Sequence, residues 1–198
     1  MITSSHLIYS WAAARGLDGK LGESRMRVQG MIVGGFLPDL PVYLFFFYHT
    51  LIAGTSQNDM WETLYFNGAF SPFITLAHSF IIWPILLAAS YALGRQFFVW
   101  VAASAILHSI MDFFVHVDDA YRHFYPFSNW KWRSPASYWD PQYYGNIIGA
   151  LDTVVIFLLL IFLMKKTSSK RAQHLIIVIS LIYLAFTLLA GYHPHHGQ

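Results

Sequence analysis

His108, Asp112 and His116 recur every fourth residue within a hydrophobic stretch, and Asp119 and His123 follow them closely. At 3.6 residues per turn, an uninterrupted helix would gather these five groups onto one stripe roughly 80° wide, leaving Asp118 to point elsewhere. Three imidazoles and two carboxylates are nitrogen and oxygen donors of the kind that zinc, manganese or iron accept. The competing reading of His108 with Asp112 is a hydrogen-bonded pair that only fixes the packing of neighbouring helices. Ionisable groups at membrane depth are costly and face the bundle interior or a cavity, so each marks a candidate site.

The surrounding chain is apolar enough to make that depth meaningful. Of 198 residues, 56% are hydrophobic, 18% aromatic and 11% charged, and the mean hydropathy is +0.46. Soluble domains carry about 45–50% apolar and about 25% charged residues. Such scarce charge excludes both an ordinary soluble enzyme and a disordered chain. A net charge of +2 excludes a nucleic-acid partner, and the lack of cysteine excludes disulfides and thiolate metal sites. Segments of about 20 apolar residues can cross a bilayer. Five qualify, over residues 31–53, 73–93, 97–117, 147–164 and 175–192. The expected fold is an all-α, multi-pass transmembrane bundle forming a single integral membrane domain over 1–198, with no internal repeat.

The first residues do not read as a secretory signal, because no basic residue precedes the apolar run. Thr3, Ser4 or Ser5 could cap a helix reaching about Arg15, too short to span, lying in the interface or tucked into the bundle. Arg15, Lys20, Arg25, Arg27, Arg95, Lys165, Lys166, Lys170 and Arg171 all fall on one side of the expected spans. Placing them in the cytoplasm puts the amino terminus inside and the carboxyl terminus outside. Trp61, Tyr65, Trp130, Trp132, Tyr138, Trp139, Tyr143 and Tyr144 then form an outer aromatic belt, and residues 121–144 form either an ordered cap or an interface loop.

Further ligands must come from other spans. Gly34-Gly35-Phe36-Leu37-Pro38-Asp39-Leu40-Pro41 is expected to break the first span near Pro38–Pro41, since prolines remove backbone donors and disfavour helix before them. Asp39 is there either the N-cap of the next half-helix or a site residue at the depth of His108. His78, in Ala77-His78-Ser79, descends toward the same level. Asp152 is a partner for Arg122 or for a histidine. His49 and His174 read as structural, and the tail with His193, His195 and His196 as a solvated segment able to bind metal adventitiously.

Together, Ser5-His6-Leu7, Leu37-Pro38-Asp39, Ala77-His78-Ser79 and His108-Ser-Ile-Met-Asp112, followed by Tyr125-Pro126, resemble the motifs of the predicted membrane-bound metal-dependent hydrolase family of bacteria. The resemblance covers roughly residues 1–126 and implies a bacterial inner-membrane location. It also adds His6 to the candidate ligands. Two departures stand out. Leu40-Pro41 replaces the second carboxylate of a Pro-Asp-x-Asp pattern, and Phe73-Ile-Thr-Leu-Ala77 replaces a His-Arg-Gly pattern. His108-x-x-x-Asp112-x-x-x-His116 is also similar to one helix of zinc-dependent bacterial phospholipases C.

The expected centre holds a divalent metal, zinc first, on His6, Asp39, His78, His108, Asp112 and His116. Asp119 and His123 are the expected catalytic groups. Asp119, or Asp112 where it is not a ligand, serves as general base or orients a ligand from behind, and His123 with Arg122 and Lys131 receives an anionic substrate group. The implied partners are membrane lipids, and the implied substrate is a phosphoester or lipid-like molecule reached laterally from the bilayer. The alternative is a non-enzymatic carrier, or an ion or proton relay, using the same stripe. A third is a structural subunit whose stripe pairs with another chain.

Overall fold

Fourteen of the first fifteen residues have no charged side chain, and the first helix, α1 (Thr3–Gly16), runs through the bundle rather than along its surface. Ser5, His6, Ile8, Ser10, Trp11, Ala12 and Ala14 are all buried. Of the two alternatives the sequence left open, tucking inward is the one observed. We describe residues 1–190 of a computed structural model, so His193, His195 and His196 lie outside the described residues.

A short turn, α2 (Asp18–Leu21), leads to Ser24, whose hydroxyl accepts the Arg27 amide N–H at 3.2 Å and caps α3 (Arg25–Phe36). Arg27 looks from sequence like an orienting surface charge, yet it is 2% exposed. Its guanidinium donates to the Ala14 carbonyl at 3.1 Å, and also to the Gly22 carbonyl and the Asp18 carboxylate. This buried staple fixes where α1 turns into α3.

The expected break at Pro38–Pro41 is mild. A 3-10 turn (Leu37–Asp39) passes into α4 (Leu40–Phe47) and a π-helical turn (Tyr48–Ile52), and Arg25–Ile52 forms one apolar span of 28 residues. Both prolines stand in first turns, where a missing N–H leaves nothing unsatisfied. A π-helical stretch (Asp59–Leu64) and α5 (Tyr65–Asn67) follow.

The sharper interruption falls in the second expected span, between α6 (Ser71–Ala77) and α7 (Ile82–Ala92), whose axes differ by 54°. Ser79 makes this bend. Its hydroxyl donates to the Tyr125 carbonyl at 2.8 Å and accepts the Ile81 and Ile82 amides at 3.1 and 3.3 Å. Pro84, in the first turn of α7, has no N–H with which to continue the α6 ladder.

Gly94, at φ 67°, then allows a tight turn into α8 (Gln96–Phe113). The expected third span reached residue 117, but the helix ends at Phe113. The acceptors that would prolong it are taken by the following segment. Ser134 Oγ donates to the Phe114 carbonyl at 2.5 Å, the Tyr138 amide to Val115 at 2.8 Å, and the Ser134 amide to His116 at 3.0 Å. Residues 114–144 therefore form an ordered cap, with one 3-10 turn (Pro141–Tyr143). Two long helices complete the bundle, α9 (Gly145–Lys166) and α10 (Lys170–Ala190). Among the described residues three helices are long and apolar enough to span a membrane, and the bent pair makes up to four. The fifth expected span corresponds to α10, with residues 191–192 outside the described part.

The closest packing joins α3 to α8. A Cβ on Gly30 would lie 2.8 Å from the Phe97 carbonyl oxygen, and one on Gly34 only 2.0 Å from that of Val101. This glycine pair at i and i+4 lets two backbones meet, as small residues do between membrane helices. Ser104 seals the contact, donating at 2.6 Å to the Met31 carbonyl and lying 2.8 Å from Ser10 Oγ of α1. With Gly30 opposite Phe97 and Gly35 opposite His108, α3 runs parallel to α8. α1 runs antiparallel to both, because His6 meets His108 and Ala14 meets Arg27.

Asp152, on α9, was expected to pair with Arg122 or a histidine. It instead accepts four hydroxyls, from Ser5 (2.6 Å), Tyr9 (3.0 Å), Tyr138 (3.1 Å) and Tyr183 (3.0 Å). It fastens α1, the cap, α9 and α10 together. Gly34→Ala is expected to lower stability by about 1–3 kcal/mol through overpacking, read as a lower unfolding midpoint in detergent. Gly149→Ala, whose added Cβ meets nothing within 4 Å, is the control expected to leave the midpoint unchanged or slightly raised.

Candidate metal centre

Three separate elements deliver the ligand atoms. α8 carries His108 and Asp112 one turn apart, the end of α6 presents His78, and the 3-10 turn after α3 presents Asp39. One ligand atom from each of these residues lies within 4.8 Å of the others. His78, His108 and Asp112 are at most 1% exposed, and Asp39 is 8% exposed.

Both imidazoles are fixed in the same tautomer. His78 Nδ1 lies 2.8 Å from the Ile74 carbonyl oxygen, and His108 Nδ1 lies 2.9 Å from that of Gly35. A carbonyl only accepts, so each Nδ1 carries a proton, and with the ring neutral its Nε2 lone pair turns inward. Neither Nε2 has a hydrogen-bond partner. They face carboxylate oxygens instead. His108 Nε2 is 3.2 Å from Asp112 Oδ2 and 3.5 Å from Asp39 Oδ1, and His78 Nε2 is 3.5 and 3.8 Å from the same atoms.

Acceptors that face acceptors in an apolar interior are unfavourable without a cation between them. The spacing also fits one. Ligands at 2.0–2.2 Å around a tetrahedral ion lie about 3.3–3.6 Å apart. The set therefore fits a divalent metal ion in donor chemistry and in spacing.

The other oxygen of Asp112 meets a different group of residues. Oδ1 lies 3.0 Å from His6 Nε2, 3.4 Å from His116 Nε2 and 2.9 Å from the Met1 amino nitrogen. His6 stacks on His108 with ring centres 3.5 Å apart. His116 Nδ1 bonds Asp119 Oδ2 at 2.6 Å, so Asp119 stands behind His116 rather than beside the four-residue set.

His123 is likewise brought behind a ligand residue. Its Nδ1 lies 2.8 Å from the His78 carbonyl oxygen and its ring stacks on Phe80 at 4.5 Å. Burial pushes its imidazole down to about 4, so it stays neutral. The stripe expected if one helix persisted is therefore divided: His108 and Asp112 share α8, whereas His116, Asp119 and His123 arrive on the cap.

Several supporting groups were not singled out from sequence. Thr3 does not cap α1, and its hydroxyl donates to Asp39 Oδ2 at 2.5 Å while accepting from Tyr43 at 3.0 Å. Asp39 in turn makes no side-chain cap for α4, which leaves its carboxylate to the site. Tyr121 stacks on His78 at 3.7 Å and is held by the Tyr65 hydroxyl at 3.1 Å. Nothing in local spacing marks Thr3 or Tyr121, since both act across more than thirty residues of chain.

A cavity of about 650 Å³ opens beside this cluster, walled by Tyr43, Trp61, Tyr65 and Trp139, with Asp39 and Asp119 on its surface. At its edge a smaller recess holds Arg122 and Lys131. Arg122 donates to Ser71 at 3.1 Å and Thr75 at 3.2 Å, and the Lys131 ammonium lies 5.0 Å over the Phe66 ring. Burial, then the charges of Arg122 and Arg133, lower the Lys131 pKa, while Asp119 acts the other way.

A family model described as YdjM inner membrane protein matches residues 1–194. No curated protein and no solved structure matches the chain. The match takes in α9 and α10, to which the motif resemblance did not extend, and its description gives a location and no reaction. By that match over nearly its whole length, and with apolar spans and a buried His/Asp cluster, the chain belongs to the YdjM inner membrane protein family.

Proposed function

We propose that this protein is a metal-dependent hydrolase of the bacterial inner membrane, with zinc as its metal and an anionic phosphoester or lipid-like molecule as its substrate. The observation that carries the reading is the pair of buried, partnerless Nε2 atoms of His78 and His108 turned toward Asp39 and Asp112. Beside them, the aromatic-walled cavity suits an acyl or other apolar group, and the Arg122/Lys131 recess suits the charged end.

Asp39, His78, His108 and Asp112 would hold the ion, which with a further position open to water would supply Lewis acidity and lower the pKa of that water to about 7. Thr3 and the Ile74 and Gly35 carbonyls orient the ligands from behind. Asp119, on the cavity wall and held by His116, is the proposed proton acceptor for the attacking water. Water adds at phosphorus as its proton passes to Asp119, the ester P–O bond breaks, and Asp119 returns that proton to the leaving oxygen. His123 is a positioning residue for His78 and touches no reacting atom in this scheme.

The basic residues propose the orientation. Arg15, Arg27 and Arg95 lie at the end of α1, α3 and α8 away from the cluster, and with that end cytoplasmic the cavity faces the outer half of the membrane.

Purified protein is expected to hold stoichiometric zinc and to release headgroup from labelled phospholipid in a metal-dependent manner, with both lost in the His108→Ala, Asp112→Ala double variant. Equal, sub-stoichiometric metal in the two proteins would sink the proposal. Vesicle uptake of zinc without headgroup release would favour a carrier instead. Thr3→Val is expected to weaken zinc binding about 10–100-fold, read by titration calorimetry, with the fold retained. Lys131→Ala is expected to raise KM for an anionic substrate while kcat changes little.

A further inference from the structure

Resting on the metal centre proposed above, we infer that the site is binuclear, with the Asp112 carboxylate bridging two cations and His116 holding the second. The two oxygens of Asp112 serve two separate sets of partners. Oδ2 faces His78 and His108 at 3.5 and 3.2 Å, whereas Oδ1 faces His116 Nε2 at 3.4 Å.

His116 shares the tautomer of His78 and His108, although its Nε2 already meets the Met1 amine at 2.8 Å. Its Nδ1 gives its proton to an acceptor, here Asp119 Oδ2 at 2.6 Å, so the Nε2 lone pair points at Asp112 Oδ1. A carboxylate behind the far nitrogen of an imidazole is how many metal-bound histidines are oriented. Two acceptor atoms 3.4 Å apart again match the edge of a coordination shell with ligands at about 2.0–2.2 Å.

The gap between them already attracts a positive group. The Met1 amino nitrogen lies 2.9 Å from Asp112 Oδ1 and 2.8 Å from His116 Nε2. Asp112 Oδ1 and His116 Nε2 are the two ligands, and the second cation takes the place that the amine holds. His6 Nε2, 3.0 Å from the same oxygen, donates to Asp112 and steadies the bridge.

The two positions differ in their surroundings. His78, His108 and Asp112 are sealed in the bundle, while His116 is on the wall of the cavity. The second ion, with two protein ligands and its remaining positions toward the cavity, is the one that meets substrate. Ions about 3.5–4 Å apart clamp the attacking and leaving oxygens of a phosphoester together. Having fewer ligands, it binds more weakly than the first.

The test is manganese titration of the full chain carrying His193→Ala, His195→Ala and His196→Ala, so that tail imidazoles do not contribute, followed by electron paramagnetic resonance. Two ions per chain with a spin-coupled signal are expected. His116→Ala should retain one ion and lose the coupling. Asp119→Ala, which keeps the imidazole should His116→Ala fail to fold, should weaken the second ion about 10–100-fold and spare the first. One uncoupled ion per chain, unchanged by either substitution, overturns the binuclear inference and leaves the single metal centre standing. No ion at all overturns both.

Discussion

Two carboxylate oxygens and two partnerless imidazole Nε2 atoms are brought together in the apolar interior, and much of the bundle is arranged around that constraint. A lone buried carboxylate would shed its charge or find a donor. Here Thr3, His6 and the Met1 amine serve the outer oxygens of Asp39 and Asp112, while the Nδ1 protons of His78 and His108 go to backbone carbonyls of α6 and α3. Those carbonyls fix ring tautomer and ring direction together. They also explain why helix packing and site chemistry cannot be separated. Gly35 offers its carbonyl to His108 only because α3 lies against α8 with no side chains between, which Gly30 and Gly34 permit.

The same economy governs the second carboxylate set. Asp152 is as buried as Asp39 but is surrounded by four hydroxyl donors, so it is satisfied without a cation and acts as a fastener. Two buried aspartates in one bundle thus have opposite roles, decided by whether their neighbours donate or accept. Depth alone does not separate them, and neither does residue type.

That contrast also sets how far the sequence could be read. Hydropathy showed the all-helical membrane fold, and the i, i+4 spacing of His108 and Asp112 showed one wall of the centre, because both are local periodicities. The length of α8 was not legible: His116, Asp119 and His123 keep helical spacing, but cap residues Ser134 and Tyr138 take the acceptors that would extend the helix. The bend at His78 had a local signal in Ser79 and Pro84, a cap and a first-turn proline, outweighed by the hydrophobicity around them. Thr3 had no such signal. Its partner Asp39 is distant in sequence, and only the antiparallel return of α1 brings them together.

The two departures from the hydrolase-like motif pattern can now be weighed physically. The missing second carboxylate would stand at Pro41, two residues beyond Asp39. At about 100° per residue it would face roughly the opposite side of the turn, so it could not join the set that Asp39 joins. Its loss leaves all four converging atoms in place. The missing His-Arg-Gly falls on α6, where Ser71 and Thr75 instead receive the guanidinium of Arg122 from the cap, at 3.1 and 3.2 Å. A positive charge therefore reaches the same helix from another part of the chain. What the motif comparison counts as two lost polar groups amounts, in space, to one group pointing away from the centre and one charge supplied from across the cavity rim.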